Sequence, residues 1–489
     1  MDACAKEPHS PLSALCLQLE ESASGESVVS PRPHRGHFLT TAKLLGRRRF
    51  LPLFVTQLFN AFNDNLYKTA MVLFVVYQVY NSEEAEGLFS AVASGLFILP
   101  FFILSALAGQ LADMRDKARI IRIVKFCEII LMIIGATGLY LAWRGFEMPV
   151  TVPLGFMTID TSFPIILMLF ALFLTGVQST FLGPIKYAIL PQHLRKEEVL
   201  AGTGLVEAGT YVAILAGTIL AGWIPVQYAA AMIIGVSVLG YISARQVPAA
   251  PPLGEVEKLD WHILRASIRL IRKTMDDRQV YYAILAISFF WTIGAVLFIQ
   301  FPPLAKNVIM ASKEVASVFL VVFSVGVAIG SVAVNKLLKG TVSARFAPVS
   351  VLVMALFVVA FYVVCKLWQA DQPTELLDVA AFISWPMATV LLLCLLGISV
   401  AGGMFVVPLY AFLTTRVSTD QAARTIAANN IVNSGSMVGG SLLAMALTAA
   451  GIPIAEQILL SAGMCIVSAW LGWRLYAAEK ADIPALATI

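Results

Sequence analysis

The chain has 489 residues, of which 59% are hydrophobic and 13% are charged. A soluble domain usually carries about 25% charged residues on its surface. The composition therefore excludes an ordinary soluble domain and predicts a protein embedded in a lipid bilayer. The formal net charge of +4 is read as contact with anionic lipid headgroups rather than with nucleic acid.

Apolar segments of about 20 residues, the length that crosses a bilayer, recur along the whole chain. Twelve can be placed, near 50–77, 87–111, 120–143, 164–188, 199–223, 226–246, 280–304, 314–337, 347–369, 386–413, 422–449 and 454–476. The predicted fold class is an all-α integral membrane protein with twelve transmembrane helices in two pseudo-symmetric six-helix halves.

The longest link between these segments sets the domain boundaries. We predict a disordered cytoplasmic tail over 1–49 and a six-span half over 50–246. A cytoplasmic linker with an amphipathic helix follows over 247–279, then a second six-span half over 280–476 and a short cytoplasmic tail over 477–489. In the linker, apolar residues recur at helical spacing beside basic ones, at Trp261, Leu264, Ile268, Ile271 and Met275, with Asp260 as the expected cap. Such a helix lies on an inner-leaflet surface; a calmodulin-binding target has the same pattern.

The basic residues predict the orientation of the chain. Of the 34 Lys and Arg residues, 28 lie near or beyond one set of segment ends, and four, Arg144, Lys306, Lys313 and Lys366, lie toward the other. The remaining two are Lys6, in the distal tail, and Lys68, inside a segment. Positive residues concentrate on the cytoplasmic side of membrane proteins. We therefore expect both termini in the cytoplasm.

The first apolar segment contains the polar stretch FNAFNDNLYK at 59–68. On a helix, Gln57, Asn60, Asp64 and Lys68 fall within about 80° of one another, and Asn63 and Asn65 flank them. A charge facing lipid would cost about 2.5–3.5 kcal/mol, so this stripe must face protein or water. It predicts the wall of a substrate cavity. The alternative is a neutral Asp64–Lys68 pair that joins helices.

Polar residues in other segments are candidates for the same cavity. The further substrate-binding candidates are Lys186, Glu207, Tyr211, Asn429 and Asn433. Glu128 is a second buried acid to which the sequence assigns only a helix contact, and Gln178 is a weaker cavity candidate. The six cysteines have no metal-binding spacing, so we expect neither a metal nor a cofactor.

The loop GQLADMRDKAR at 109–119 resembles the signature G-x-L-A-D-R-x-G-R-K of the major facilitator superfamily. Met114 and Asp116 depart from that signature. A weak repeat between the two halves, such as Pro184 and Pro408, fits the same architecture. The resemblance implies a cytoplasmic gate made by Gly109, Asp113, Arg115, Lys117 and Arg119. The alternative is a plain positively charged loop.

Two motifs together, AFNDNLYK and GPIKYAILPQHLRKEEVLAGTGLVEAGTYVAILAGT at 183–218, resemble the bacterial lysophospholipid transporter branch of this superfamily. The resemblance implies alternating access that moves lysophospholipids from the outer to the inner leaflet of the bacterial inner membrane. Membrane lipids and a separate acyltransferase, which would restore the second chain, are the implied partners. We expect a monomer. The segment AGTGL at 201–205 lacks the Asn common in relatives, so headgroup preference is an open point.

Two alternatives belong to other classes. A proton-coupled exporter of drugs or other amphipathic molecules would use Asp64 or Glu207 as its proton carrier. A membrane acyltransferase would use a His-x-x-x-x-Asp pair, but none of the five histidines has Asp five residues on. We therefore expect a transporter and not an enzyme.

Overall fold

The structure is a computed structural model. It describes all residues except 1–43, 154–157, 253–261, 339–341, 417–418 and 487–489. Within the described residues, twelve helices have 20 residues or more. Nine of them are, by length and composition, able to cross a membrane. Each of the twelve predicted segments overlaps one of these long helices. The all-α membrane fold is confirmed, and twelve membrane crossings stay a prediction.

The first half contains the helices α1 to α7 and a β-hairpin. Their bounds are α1 Leu51–Phe74, α2 Glu83–Met114, α3 Lys117–Trp143, α4 Phe163–Ala188, the short α5 Leu190–His193, α6 Lys196–Trp223 and α7 Val226–Arg245. A π-helical turn, Val75–Val79, extends α1. The antiparallel strands β1 (Pro149–Pro153) and β2 (Thr158–Ser162) pair with Pro149 opposite Ser162.

The linker contains α8, and the second half contains the helices α9 to α15. Their bounds are α8 Ile263–Thr274, α9 Arg278–Pro303, α10 Lys313–Leu337, α11 Ala347–Ala370, the short α12 Val379–Ser384, α13 Ala388–Arg416, α14 Thr419–Ala449 and α15 Ile454–Leu486. A second π-helical turn, Leu304–Val308, extends α9.

Side-chain caps determine where several helices begin. Ser82 accepts the Ala85 N–H at the start of α2, and Asp277 accepts the N–H groups of Gln279 and Val280 at the start of α9. Such oxygens satisfy N–H groups that have no partner within the helix. Because Ser82 caps α2, the helix begins four residues before the predicted apolar segment.

Two boundaries differ from those predicted, and one element was not predicted. The predicted C-terminal tail is helical as far as Leu486, because α15 continues beyond its apolar part. The predicted N-terminal tail ends in a packed segment, since Leu44 is buried in the core of the first half. The hairpin of β1 and β2 was not predicted; it lies between the predicted apolar segments 120–143 and 164–188. The part of the N-terminal tail before residue 44 lies outside the described residues.

The two halves share one pattern of helix packing. In the first half, α1 contacts α6 and α7, α4 contacts α2 and α3, and α3 contacts α7. In the second half, α9 contacts α14 and α15, α13 contacts α10 and α11, and α11 contacts α15. These five contacts correspond one to one when the six long helices of each half are aligned in order. The weak repeat in the sequence is therefore a repeat of structure.

Each half packs around its own apolar core. The second half buries large aromatic side chains, among them Phe301, Phe319 and Trp368, on α9, α10 and α11. Leu73, near the end of α1, also belongs to this core. The last turns of α1 therefore reach into the other half.

Two seams join the halves, one between α2 and α14 and one between α6 and α10. We call the first the α2–α14 seam. Small residues permit its close approach: a Cβ on Gly87 would lie 3.1 Å from Thr448 Cγ2, and a Cβ on Gly95 would lie 3.4 Å from Ser441 Cβ. Farther along, a Cβ on Gly435 would meet the ring of Phe102 at 2.8 Å. Glycine at such positions lets the backbones of the two helices approach closely.

The bundle has two ends, which we name by their features. The hairpin end is the end at which α1 stops, α2 begins and the β-hairpin lies. The linker end is the opposite end, where α7 stops and the linker begins.

The linker helix α8 contacts α2 and α14, and its Leu264 and Ile268 are exposed beside Arg265 and Arg269. The helix begins after His262, and Asp260 and Trp261 lie outside the described residues. The predicted contact of this helix with a membrane surface stays a prediction.

At the linker end, Glu198 anchors the segment that precedes α1. Its carboxylate forms ion pairs of 2.6 Å with Arg47 and 2.5 Å with Arg49. The pKa of Glu198 is held below its ordinary value, because its carboxylate accepts the Arg195 N–H and lies beside Arg47 and Arg49. The carboxylate therefore stays charged down to a lower pH than a free glutamate.

We expect Glu198→Gln to release this segment, because the neutral amide no longer attracts the two guanidinium groups. Limited trypsin digestion should then cut after Arg47 and Arg49 faster than in the unmodified protein. In the unmodified protein, the pKa of Glu198 is lower in the folded state than in the unfolded state. The stabilisation from its ion pairs is therefore fully present above the unfolded-state pKa and is lost as the pH falls through the folded-state pKa. Equal digestion rates in both proteins at pH 8, the pH at which trypsin is used, would contradict this assignment.

Candidate functional site

Asn60 is the centre of a buried polar network between α1, α3 and α4. Its Nδ2 donates to Asp64 Oδ2 at 3.1 Å. Its Oδ1 accepts from Lys125 Nζ at 3.4 Å and from Gln178 Nε2 at 3.2 Å. The predicted stripe on α1 therefore does bring Asn60 and Asp64 onto one face, and this face contacts polar groups of two neighbouring helices.

Asp64 and Glu128 are the two acids of this network. The Asp64 carboxylate also accepts the hydroxyl of Ser179 on α4. Glu128 forms an ion pair with Lys125, one turn away on α3, and both side chains are fully buried. Asn63 Nδ2 donates to Glu128 Oε1 at 2.9 Å. We call these seven residues the polar network: Asn60, Asn63, Asp64, Lys125, Glu128, Gln178 and Ser179.

Lys68 lies beside the network without joining it. The side chain is half-buried, and its Nζ lies 5.2 Å from the centre of the Phe97 ring on α2. Among the described residues, no hydrogen bond or ion pair reaches this ammonium group. Asp64 is held by Asn60 and Ser179, and Lys68 lies over Phe97, so no direct ion pair joins the two within the described residues. The alternative of a neutral Asp64–Lys68 pair, whose charges are close enough to interact, stays a prediction.

Several buried polar atoms near the stripe have no partner within the described part of the chain. They are Gln57 Nε2, Asp64 Oδ1 and Gln178 Oε1. Buried polar groups are nearly always hydrogen-bonded, so each such atom requires an explanation. A ligand or water in a cavity along this face of α1 would supply the missing partners. Within the described residues, the site thus offers acceptors, a donor and a cation, Lys68, that no hydrogen bond or ion pair engages.

The other substrate-binding candidates of the first half, on the stripe and outside it, have different surroundings. Asn65 donates to the Ala61 carbonyl of its own helix at 2.8 Å. Asn63 is fully buried on Glu128, so its amide contacts α3 rather than a cavity. Lys186 is half-buried in the last turn of α4 and is engaged in contacts there. The side chains of Glu207 and Tyr211 lie outside the described residues, although their helix, α6, packs on α1.

In the second half, Asn429 and Asn433 lie one turn apart on α14. Asn429 is fully buried beside the Tyr410 hydroxyl, to which Trp291 Nε1 donates at 3.0 Å. Asn433 is half-buried, and its Oδ1 has no partner in the described part of the chain. This half therefore contributes neutral amide and aromatic groups, whereas the charges are concentrated in the first half.

The predicted gate lies at the linker end, after α2. Arg115 and Arg119 are exposed, a Cβ on Gly109 would meet nothing within 4 Å, and the Asp113 side chain lies outside the described residues. Lys117 is buried, contrary to its expected place on a wet rim. A contact of these residues with the second half stays a prediction.

Asp116, a departure from the signature, has a structural role in the same loop. Its carboxylate caps α3 by accepting the N–H groups of Ala118 and Arg119, and it also accepts the Ala250 N–H at 3.1 Å. Arg122 donates to the Val247 carbonyl at 2.8 Å. This loop therefore holds the beginning of the linker against the first half.

Sequence reasoning missed Lys125 and Ser179. Lys125 was counted with the basic cluster at the cytoplasmic end, yet the structure buries it completely. Its spacing of three from Glu128 was the available signal, because residues three apart on a helix can pair. Ser179 had no signal beyond its place next to Gln178.

The chain was compared with protein families and with known proteins. The model of the family described as Major Facilitator Superfamily matches residues 53–441. The lysophospholipid transporter LplT of Serratia proteamaculans (strain 568) is 26% identical over 410 residues, which cover 82% of this chain and 88% of that protein. LplT of Cronobacter sakazakii (strain ATCC BAA-894) is 24% identical over 439 residues, 87% of this chain and 96% of that protein.

Solved structures share the fold at low sequence identity. A bacterial homologue of the human lysosomal transporter Spinster has a TM-score of 0.62 and 13% identity, and the match covers 91% of this chain and 98% of that one. A D-xylose–proton symporter has a TM-score of 0.57 and 14% identity, with 87% and 97% covered. The family match spans most of the chain and agrees with the packing repeat. The chain therefore belongs to the major facilitator superfamily of membrane transporters.

Proposed function

We propose that this protein transports lysophospholipids from the outer to the inner leaflet of a bacterial inner membrane. The observation that carries the proposal is the polar network inside the first half, beside which the Lys68 ammonium has no hydrogen bond or ion pair among the described residues. The similarity to proteins named lysophospholipid transporter supports the substrate class. A separate acyltransferase would then restore the second acyl chain.

Lys68 is the group we assign to the lysophospholipid phosphate. A charge-assisted hydrogen bond from an ammonium group to a phosphate oxygen is roughly twice as strong as a neutral one. The other cation of the site, Lys125, is already paired with Glu128 and cannot serve without breaking that pair. Asp64 Oδ1, which has no partner in the part of the chain that the structure describes, is available to the ammonium of a zwitterionic headgroup.

In this proposal, a cavity between the halves holds the headgroup while the acyl chain stays in an apolar environment. We place Gln57, Asn60, Asp64 and Lys68 on its first-half wall, and Asn429 and Asn433 on the opposite wall. Lys186, Glu207 and Tyr211 are further candidates for this cavity. Movement would follow alternating access, in which the two halves rock about the site. The excess of positive residues near the linker end supports a cytoplasmic linker and cytoplasmic termini.

Leaflet-resolved transport in proteoliposomes tests the proposal. Labelled lysophosphatidylethanolamine is added to the outer face, and its arrival in the inner leaflet is followed by resistance to extraction with albumin. We expect protein-dependent movement, with and without a proton gradient. Protein-free liposomes and diacyl phosphatidylethanolamine are the controls.

The two arms of this experiment separate the competing functions. Movement that requires a proton gradient would favour the coupled exporter, with Asp64 as its proton carrier. Absence of lysolipid movement by folded protein in both arms would contradict the proposed substrate.

A further inference from the structure

The polar contacts that join the two halves within the described residues lie at the hairpin end. Lys306 in the second half contacts Glu86 and the end of α1 in the first. Lys313 Nζ donates to the Ile224 carbonyl at 3.1 Å, and Glu83 Oε1 accepts the Ile454 N–H at 2.9 Å. At this end, the halves are therefore fastened to each other.

The Lys306 ammonium uses all three of its donors in this contact. It donates to the Val76 carbonyl at 2.6 Å, to the Tyr80 carbonyl at 2.9 Å and to Glu86 Oε1 at 2.6 Å. The two carbonyls belong to the last turn of the helix that begins as α1, where carbonyls lack partners within the helix and a cation is favoured by the helix dipole. Lys306 therefore caps a helix of the other half.

Glu86 is fully buried and depends on the second half for its partners. One carboxylate oxygen is bound by Lys306, and the other accepts from Asn307. An ionised carboxylate buried without partners is strongly unfavourable. Once the halves separate at this end, Glu86 and the α1 carbonyls must find water instead, so closed and open arrangements are distinct states rather than a continuum.

The contact is made by the two π-helical turns, which occupy equivalent places in the two halves. Val75–Val79 ends the first helix of the first half, and Leu304–Val308 ends the first helix of the second half. Lys306 of one turn donates to carbonyls of the other, and Tyr77 donates in return to the Ala311 carbonyl at 2.9 Å. π-helical turns are rare and occur often at functional sites. We call this reciprocal contact the clasp: Val75–Val79, Tyr80, Glu86, Leu304–Val308 and Ala311.

We propose that Lys306 is the gate residue of the hairpin end, and that the clasp couples this gate to the substrate site through α1. The same continuous helix carries Asp64 and Lys68 and then ends in the clasp. A tilt of α1 that follows substrate binding at Lys68, which rests on the proposed function, therefore moves the carbonyls that Lys306 binds. In this proposal, the cavity between the halves opens toward the hairpin end only when the contacts of Lys306 break.

A cysteine reporter under the clasp tests this gate. Ser90 lies one turn after Glu86 on α2 and is buried, so Ser90→Cys is a conservative reporter. A membrane-impermeant maleimide is added to vesicles whose hairpin end faces outward, and labelling of residue 90 is quantified by mass spectrometry. We expect slow labelling with Lys306 present and at least tenfold faster labelling in Lys306→Met.

The matched control is Lys366→Met. Lys366 pairs with Glu456 at 2.6 Å at the same end, but both residues belong to the second half. We expect this variant to label at the rate of the parent. Glu86→Gln, which keeps the shape but loses the charge, should fall between the two and covers the case in which Lys306→Met does not fold.

Equal labelling of the parent, of Lys306→Met and of Glu86→Gln, with unchanged melting temperatures, would overturn the assignment. The readout uses no substrate. A failure of the lysophospholipid proposal therefore leaves this result intact, and a failure of the clasp leaves the transport measurement intact.

Discussion

Lys68→Ala is expected to reduce the initial rate of lysophospholipid transport by about 10- to 100-fold. This range corresponds to the loss of one hydrogen bond to a charged group, about 1.5–3 kcal/mol, at 1.36 kcal/mol for each factor of ten. Lys68 has no hydrogen bond or ion pair within the described residues, and it lies over the Phe97 ring. Its removal should therefore leave the melting temperature almost unchanged.

Two variants make this measurement specific. Lys68→Arg keeps the positive charge and should retain most of the transport, whereas Lys366→Ala removes a lysine from a surface ion pair and should retain all of it. Initial rates are measured in the proteoliposome assay at equal protein incorporation. Transport by Lys68→Ala at the parent rate would remove Lys68 from the headgroup site.

Lys125→Met should have the opposite profile, with a large loss of stability. The variant leaves the Glu128 carboxylate buried without its ion-pair partner. Breaking a buried pair by removing one partner costs about 3–5 kcal/mol. We expect a lower free energy of unfolding in detergent micelles, whether or not the folded fraction still transports.

The double variant Lys125→Met with Glu128→Gln separates charge from packing. Removing both charges can be nearly neutral, and a glutamine at 128 can still accept from Asn63, which now donates to Glu128 at 2.9 Å. The double variant should therefore be more stable than Lys125→Met alone. If the stability losses of the single variants Lys125→Met and Glu128→Gln simply add in the double variant, Lys125 and Glu128 are not coupled as the structure indicates.

The fold could be predicted well from the sequence because lipid restricts the choices. Backbone groups in a bilayer must be satisfied internally, so long apolar segments become helices. The hairpin of β1 and β2 was missed because it lies outside the apolar segments, where this restriction does not apply. The end of α15 was missed for a related reason, since a helix can continue into water without apolar residues to mark it.

The site could be predicted only in part. Helical periodicity placed Asn60 and Asp64 on one face correctly, because that periodicity is local. It could not give the direction of neighbouring side chains: Lys68 was expected beside Asp64 yet lies over Phe97. Lys125 was assigned to the membrane surface because charge alone does not reveal a buried partner on the same helix. Contacts between distant segments, such as Lys306 with Glu86, had no local signal at all.

The α2–α14 seam has a mechanical consequence. At two points of this seam glycine faces a short hydroxyl side chain, Gly87 against Thr448 and Gly95 against Ser441, while Leu88 and Met445 belong to a small apolar cluster beside them. Because a contact of glycine with a short side chain buries little apolar surface, separating the helices at these two points costs less than separating large packed side chains. Under the proposed function, an opening at this seam would let the single acyl chain of the substrate stay in the lipid while the headgroup crosses between the halves.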